Sequence, residues 1–197
     1  MIPSEEEALA LHRKYRSNEA IVRHCIKVAE VAVLLAEGLA HAGKNVDGRA
    51  VLAGALLHDI GRTRIQTVAH GAEGAEILAG EGVDDEVVQI VRRHVGAGIS
   101  TEEAKRLGLP DYDYIPRTLE ERTVCFADKL VSTERIRPFN EEENRFLRKG
   151  HDVERLRDLK RELQKDLGQD PEKLVLDNIK ESTQAVPSCG SMHLQDL

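Results

Sequence analysis

The sequence predicts an all-α fold, and three observations carry that expectation. Aromatic residues are scarce, with three Phe, three Tyr and no Trp. The apolar content is mostly Ala, Leu, Val and Ile among abundant Glu, Lys and Arg, a helix-forming mixture. Apolar residues recur at spacings of three and four, and no stretch alternates as a half-buried strand would. With 197 residues the chain accommodates one domain with a helical appendage and folds without cross-links.

Each helix has a start and a stop in the sequence. Ser4 with Glu7 forms a capping box for a short first helix. Asn18 caps a long second one, in which Ile21, His24, Val28, Val31, Leu35 and Leu39 share a face, and His41 to Asn45 closes it. Asp47 caps a third helix through Leu57, with Gly61 expected to stop it in a left-handed conformation. His70 opens a small-residue helix, HGAEGAEIL, and Asp84 or Asp85 caps the next, where Val87, Ile90, Val91 and His94 line up. A loop-rich segment follows, with a short helix from about Ser100, and Leu119 to Arg135 reads as one long helix ended before Pro138. Residues 140–168 are densely charged with a sparse stripe of Val153, Leu156, Leu163 and Leu167, and Asp170-Pro171-Glu172 starts a last helix. The expected organisation is a domain over 1–138, a charged helical extension over 139–184 and a loose tail over 185–197. The stripe of the extension could cover a site, pack as an appendage or make a homo-oligomer, and packing within the chain is favoured.

Composition excludes several classes. Cys25, Cys125 and Cys189 are odd in number and form no CxxC pair, which argues against a disulfide framework and suits a reducing cytoplasm. The N-terminus carries acids where a secretory signal carries bases, and no apolar run approaches the roughly 20 residues of a membrane span. A net charge of −7 argues against general nucleic-acid binding while leaving room for a small phosphorylated partner, a nucleotide included. GLAHAGKN at 38–45 nearly spells a phosphate loop, but it ends a helix and Asn45 replaces the hydroxyl residue.

Polar groups interrupt the apolar faces in a repeated way. His24 lies between Ile21 and Val28, His94 follows Ile90 and Val91, and Asp128 sits inward of Val124 and Val131. The run ALLHDIGR ends an apolar helix on His58 and Asp59. A carboxylate buried alone is strongly unfavourable, and Asp59 also meets the negative end of a helix dipole. A bound cation offsets both penalties. One inward histidine is ordinarily a satisfied core residue; the set as a whole points to metal.

The order His24, His58-Asp59, Asp128, with Ile60-Gly61 after the dipeptide, resembles the H…HD…D signature of the HD-domain superfamily of metal-dependent phosphohydrolases. The resemblance spans about residues 18–137, and His70 and His94 stand where binuclear members carry two further ligands. The HGAEGA helix and Ala127-Asp128-Lys129 are similar to the branch that splits diadenosine tetraphosphate, although Val95-Gly96-Ala97-Gly98 departs from that branch's turn. The resemblance implies a helical HD bundle and a phosphohydrolase, a phosphatase or phosphodiesterase acting on a nucleotide-like phosphoester or phosphoanhydride. It implies that His24, His58, Asp59 and Asp128 hold one ion and that Asp59 bridges to a second on His70 and His94. Imidazoles with carboxylates suit Fe, Mn, Co, Ni or Zn, with Mg admitted, and two cations sharing a water make hydroxide at neutral pH. Arg62 and Lys129 are the expected catalytic and phosphate-binding cations, with Arg135 a weaker third. The rival expectations are a di-iron oxygenase and a non-catalytic metal-binding regulatory module.

Overall fold

In the computed structural model, which describes residues 1–184, helices form nearly all the regular structure. In chain order they are α1 (Glu5–Lys14), α2 (Glu19–His41), α3 (Gly48–Leu57), a 3₁₀ turn (Ile60–Thr63), α4 (His70–Gly80), α5 (Asp85–Arg93), α6 (Thr101–Arg106) and α7 (Leu119–Leu130). A two-stranded antiparallel ladder, β1 (Val131–Ser132) with β2 (Arg135–Ile136), precedes α8 (Phe139–Lys149), α9 (Val153–Leu167) and α10 (Pro171–Gln184). The tail over 185–197, with Cys189 and His193, lies outside the described residues.

The predicted caps form. Ser4 and Glu7 exchange side-chain hydrogen bonds with each other's backbone N–H, and Asn18, Asp47 and Asp84 accept from the first turns of α2, α3 and α5. Each such cap contributes about 1 kcal/mol by satisfying an N–H that the helix cannot. Asp170 Oδ1 does the same for Glu172 and Lys173 at the start of α10.

The long helix α2 is the spine, packed against α3 and α7 on one side and α10 on another. Val28, Val31, Leu35 and Leu39 of α2 meet Val51 and Leu57 of α3, Ile90 of α5 and Phe126 of α7 in one core. Burying a side chain of this size stabilises by roughly 1.5–3 kcal/mol. Phe139, Phe146, Leu156, Leu163, Leu167 and Val175 join the same core, so the stripe of the charged extension packs within the chain.

Three expectations change. The helix expected to reach Arg135 ends at Leu130: Val131 takes an extended conformation, and Thr133 turns the chain with a left-handed φ of 59°. Gly61 does not terminate α3 by a positive φ; it lies in the 3₁₀ turn, where a Cβ would stand 2.0 Å from the His70 carbonyl oxygen and 2.5 Å from the Gly74 nitrogen. Close backbone approach, not handedness, demands the glycine. His12 has a polar sequence setting that predicts a solvent-facing side chain, but it is buried against α3 and bridges Ser17 Oγ and the Leu56 carbonyl, each at 2.7 Å.

Candidate metal centre

Five elements deliver six side chains to one place. His24 comes from the first turns of α2, and His58 with Asp59 from the end of α3. His70 opens α4, His94 follows α5, and Asp128 lies in the last turns of α7. The Gly61 contact sets the spacing between the His58–Asp59 corner and His70. Thus the sequence-predicted metal set converges in full.

All four imidazoles present the same atom inward. His24 Nδ1 meets the Thr133 carbonyl at 3.0 Å, His58 Nδ1 that of Ala55 at 2.8 Å, His70 Nδ1 that of Thr67 at 2.7 Å and His94 Nδ1 that of Val91 at 2.6 Å. A carbonyl only accepts, so each Nδ1 donates its proton outward and Nε2 is left as the nitrogen that a metal would take. This is the tautomer a metal ligand needs. The left-handed Thr133 was not foreseen as part of the centre; it aims the carbonyl that orients His24.

The inward atoms crowd together, and apart from the His24 Nε2–Asp128 Oδ1 and His70 Nε2–His94 Nε2 contacts they do not hydrogen-bond one another. His24 Nε2 lies 3.0 Å from Asp128 Oδ1, which is 3.7 Å from His58 Nε2. Asp59 Oδ1 lies 3.1 Å from His70 Nε2 and 3.5 Å from His94 Nε2, while its Oδ2 is 3.7 Å from His58 Nε2. Both His58 Nε2 and Asp59 Oδ1 are buried without an aligned hydrogen-bond partner. Such orphaned atoms are costly in a protein interior, and divalent cations would satisfy them. Two groups, His24 with His58 and Asp59, and Asp59 with His70 and His94, are placed to coordinate one or two divalent metal ions. Asp59 belongs to both; a carboxylate has two oxygens and can span two cations.

Electrostatics match that placement. Burial pushes His58 down to about 3 and also lowers His94, which keeps both imidazoles neutral. Burial would raise Asp59, yet the surrounding imidazoles of His58, His70 and His94 outweigh it and hold the carboxyl well below its ordinary range. For Asp128 burial is likewise overcome, here by the Lys129 ammonium and by His24. Burial would lower His24, but its contact with Asp128 wins and raises it.

The three predicted cations lie in different settings. Arg62 places Nε 2.7 Å from Asp59 Oδ2 and leaves its side chain partly exposed at the edge of the centre. Lys129 is buried with its ammonium on Asp128 Oδ2, a position for orienting a ligand. Arg135 does not follow Lys129 around a helix; it stands on β2, exposed, and pairs with Glu141 at 3.3 Å. Cys125 is a buried thiol, pushed up to about 12 by burial, beside the His94 and Gly96 carbonyls at 3.5 Å. Sequence reasoning also missed Arg137 and Glu142, whose contacts reach the end of α7.

A family model for the HD domain matches residues 21–133. The chain is 41% identical over 178 residues to a tRNA (cytidine(56)-2′-O)-methyltransferase of Picrophilus torridus, and 40% identical over 176 residues to one of Thermoplasma volcanium. These matches cover 89% and 88% of this chain and 51% of each relative, so the chain spans about half the length of the curated relatives it matches. The fold is similar to the phosphodiesterase PgpH HD domain of L. monocytogenes, with a TM-score of 0.57 at 17% identity over 88% of this chain and 98% of that one. The comparisons do not separate the diadenosine-tetraphosphate branch from others. The tRNA relatives correct the expected activity: the assignment as hydrolase, phosphatase or phosphodiesterase acting on a small phosphorylated molecule gives way to kinship with methyltransferases. They equally contradict the expectation of no general nucleic-acid binding, since both relatives are named for tRNA; that expectation rested on net charge, which is a sum and says nothing of where the cations stand. Among the described residues no helix is long and apolar enough to cross a membrane.

Proposed function

We propose that this chain, which belongs to the HD-domain family, serves the 2′-O-methylation of tRNA as a metal-centred, tRNA-engaging module. The observation that carries the reading is the identity of 40–41% to two tRNA methyltransferases along nearly nine-tenths of the chain. The aligned half is the helical body described above, so the chain's part in the reaction is what that body holds. His24, His58, Asp59 and Asp128 bind one divalent ion, and His70 and His94 bind a second that shares Asp59. Bound there, divalent ions supply Lewis acidity toward phosphate and ribose oxygens. Arg62, beside Asp59 and partly exposed, meets an RNA phosphate, and Lys129 fixes Asp128. A tRNA partner, together with free buried Cys25 and Cys125, suits the cytoplasm.

The test uses a tRNA transcript and the P. torridus enzyme with and without its matching half. The chain is expected to retain the transcript in a Mn²⁺-dependent filter-binding assay, more weakly as salt rises. Added to the shortened enzyme with S-adenosylmethionine, it is expected to raise methyl transfer several-fold. A chain that neither retains tRNA nor changes methyl transfer overturns the reading.

A further inference from the structure

Behind Asp128 lies a buried ionic clamp that the metal centre does not itself use. Glu142, on α8, is fully buried. Its carboxylate takes Arg145 through two contacts, Nη2 to Oε1 at 2.5 Å and Nε to Oε2 at 2.7 Å, and Arg137 Nη1 approaches Oε2 at 3.1 Å. Arg137 in turn donates from Nε to the Lys129 carbonyl at 3.3 Å and from Nη2 to the Val131 carbonyl at 3.1 Å. The Lys129 carbonyl lies in the last turn of α7, where a helix leaves its own acceptors unpaired, and the Val131 carbonyl lies just past that end. Lys129 places its ammonium on Asp128 Oδ2. The start of α8 is held too: Phe139 N donates to Glu172 Oε1 at 3.0 Å, and the Phe139 ring packs 5.7 Å from that of Phe126 on α7.

A buried ion pair of this kind adds little net stability, since desolvation consumes most of the attraction. Its effect is geometric. Arg137 fixes the last turn of α7, that turn fixes Lys129, and Lys129 leaves Asp128 Oδ1 pointing at His24 and His58. We propose that Glu142 and Arg137 are positioning residues through which the C-terminal extension sets the affinity of the Asp128-side metal position, leaving the His70–His94 position alone. This rests on the metal reading given above. Supports of metal ligands lying outside the coordination sphere typically change affinity by 10–100-fold.

The experiment is Mn²⁺ calorimetry on the full chain, with Glu142→Gln and Arg137→Lys compared with the unsubstituted protein, and Asp128→Ala marking which binding step belongs to that side. The expected result is a loss of about 10-fold or more in that step alone, with the other within twofold and helix content preserved. Equal affinities in all three proteins overturn the proposal, as does equal weakening of both steps, which is what general loosening would give. If Glu142→Gln fails to fold, Arg137→Lys, which keeps the charge but loses the fork, decides by the same criteria. An unsubstituted chain that takes up no Mn²⁺ overturns the metal reading itself, a result distinct from two normal steps that ignore the clamp.

Discussion

His70 Nε2 and His94 Nε2 stand 3.0 Å apart while both Nδ1 atoms are committed to backbone carbonyls. With both protons outward, the facing nitrogens are two lone pairs at hydrogen-bond distance with no proton between them. That is repulsive in a buried setting, and a shared electrophile relieves it. The same carbonyl-anchored pattern at His24 and His58 makes the centre preorganised for cations.

Removal of metal is expected to lower thermal stability. At a ligand concentration 100-fold above Kd, binding contributes about 2.7 kcal/mol. For a chain of this size that corresponds to a Tm shift of about 5–10 °C. Differential scanning calorimetry before and after chelation, with Mn²⁺ restored, reads it; an unchanged Tm contradicts the account.

His94→Ala is expected to reduce the ions bound from two to one, because it removes one of the two imidazoles on its side. Asp59→Asn is expected to weaken both, since both groups share Asp59. Metal titration followed by elemental analysis separates these outcomes, and a full complement in Asp59→Asn removes the bridging role.

Gly61→Ala is expected to push α4 away from the α3 corner, because its Cβ would meet backbone that cannot yield. A destabilisation of at least about 1–3 kcal/mol is expected by urea unfolding, with metal affinity falling as His70 shifts. Near-native stability and affinity in that variant would contradict the packing described.

His12 gives a pH signature. Burial holds its pKa below the ordinary value, against the raising effect of the Leu56 carbonyl contact. An unfolded imidazole titrates near about 6.5, so the neutral buried form contributes its full stability above that pH and loses it as pH falls toward the folded value. The ceiling for one proton is about 1.4 kcal/mol per pH unit. Metal-free His12→Gln is expected to show a shallower loss of stability between pH 7 and 5.5; identical slopes would contradict burial of a neutral His12.

Much of this was legible in the residues, for identifiable reasons. Helix caps are local, so Ser4, Asn18, Asp47 and Asp84 read correctly from their neighbours. Polar residues on apolar faces cost too much to be accidental in number, so His24, His58, Asp59, His94 and Asp128 could be gathered before any contact was known. What failed depended on tertiary context. Ala8 and His12 lie four apart on one face of α1, a signal for burial, but only α3 supplies the Leu56 acceptor. No Gly or Pro interrupts 119–135, and only the β-branched Val131 and Thr133 hint at the break; Arg137 then caps the freed carbonyls from beyond the turn. The sequence likewise does not show that the Lys129 ammonium sits on Asp128. The activity class was misjudged for another reason: ligand spacing identifies a centre, and the tRNA relatives show that one HD body is found in enzymes named for different chemistry.

The most direct measurement is the metal content of the chain purified without chelator, by elemental analysis against protein concentration. The account predicts two divalent transition-metal ions per chain, falling to one in His94→Ala. A fully helical protein with no bound metal, which stays empty when Mn²⁺, Fe²⁺ or Zn²⁺ is supplied, would contradict it.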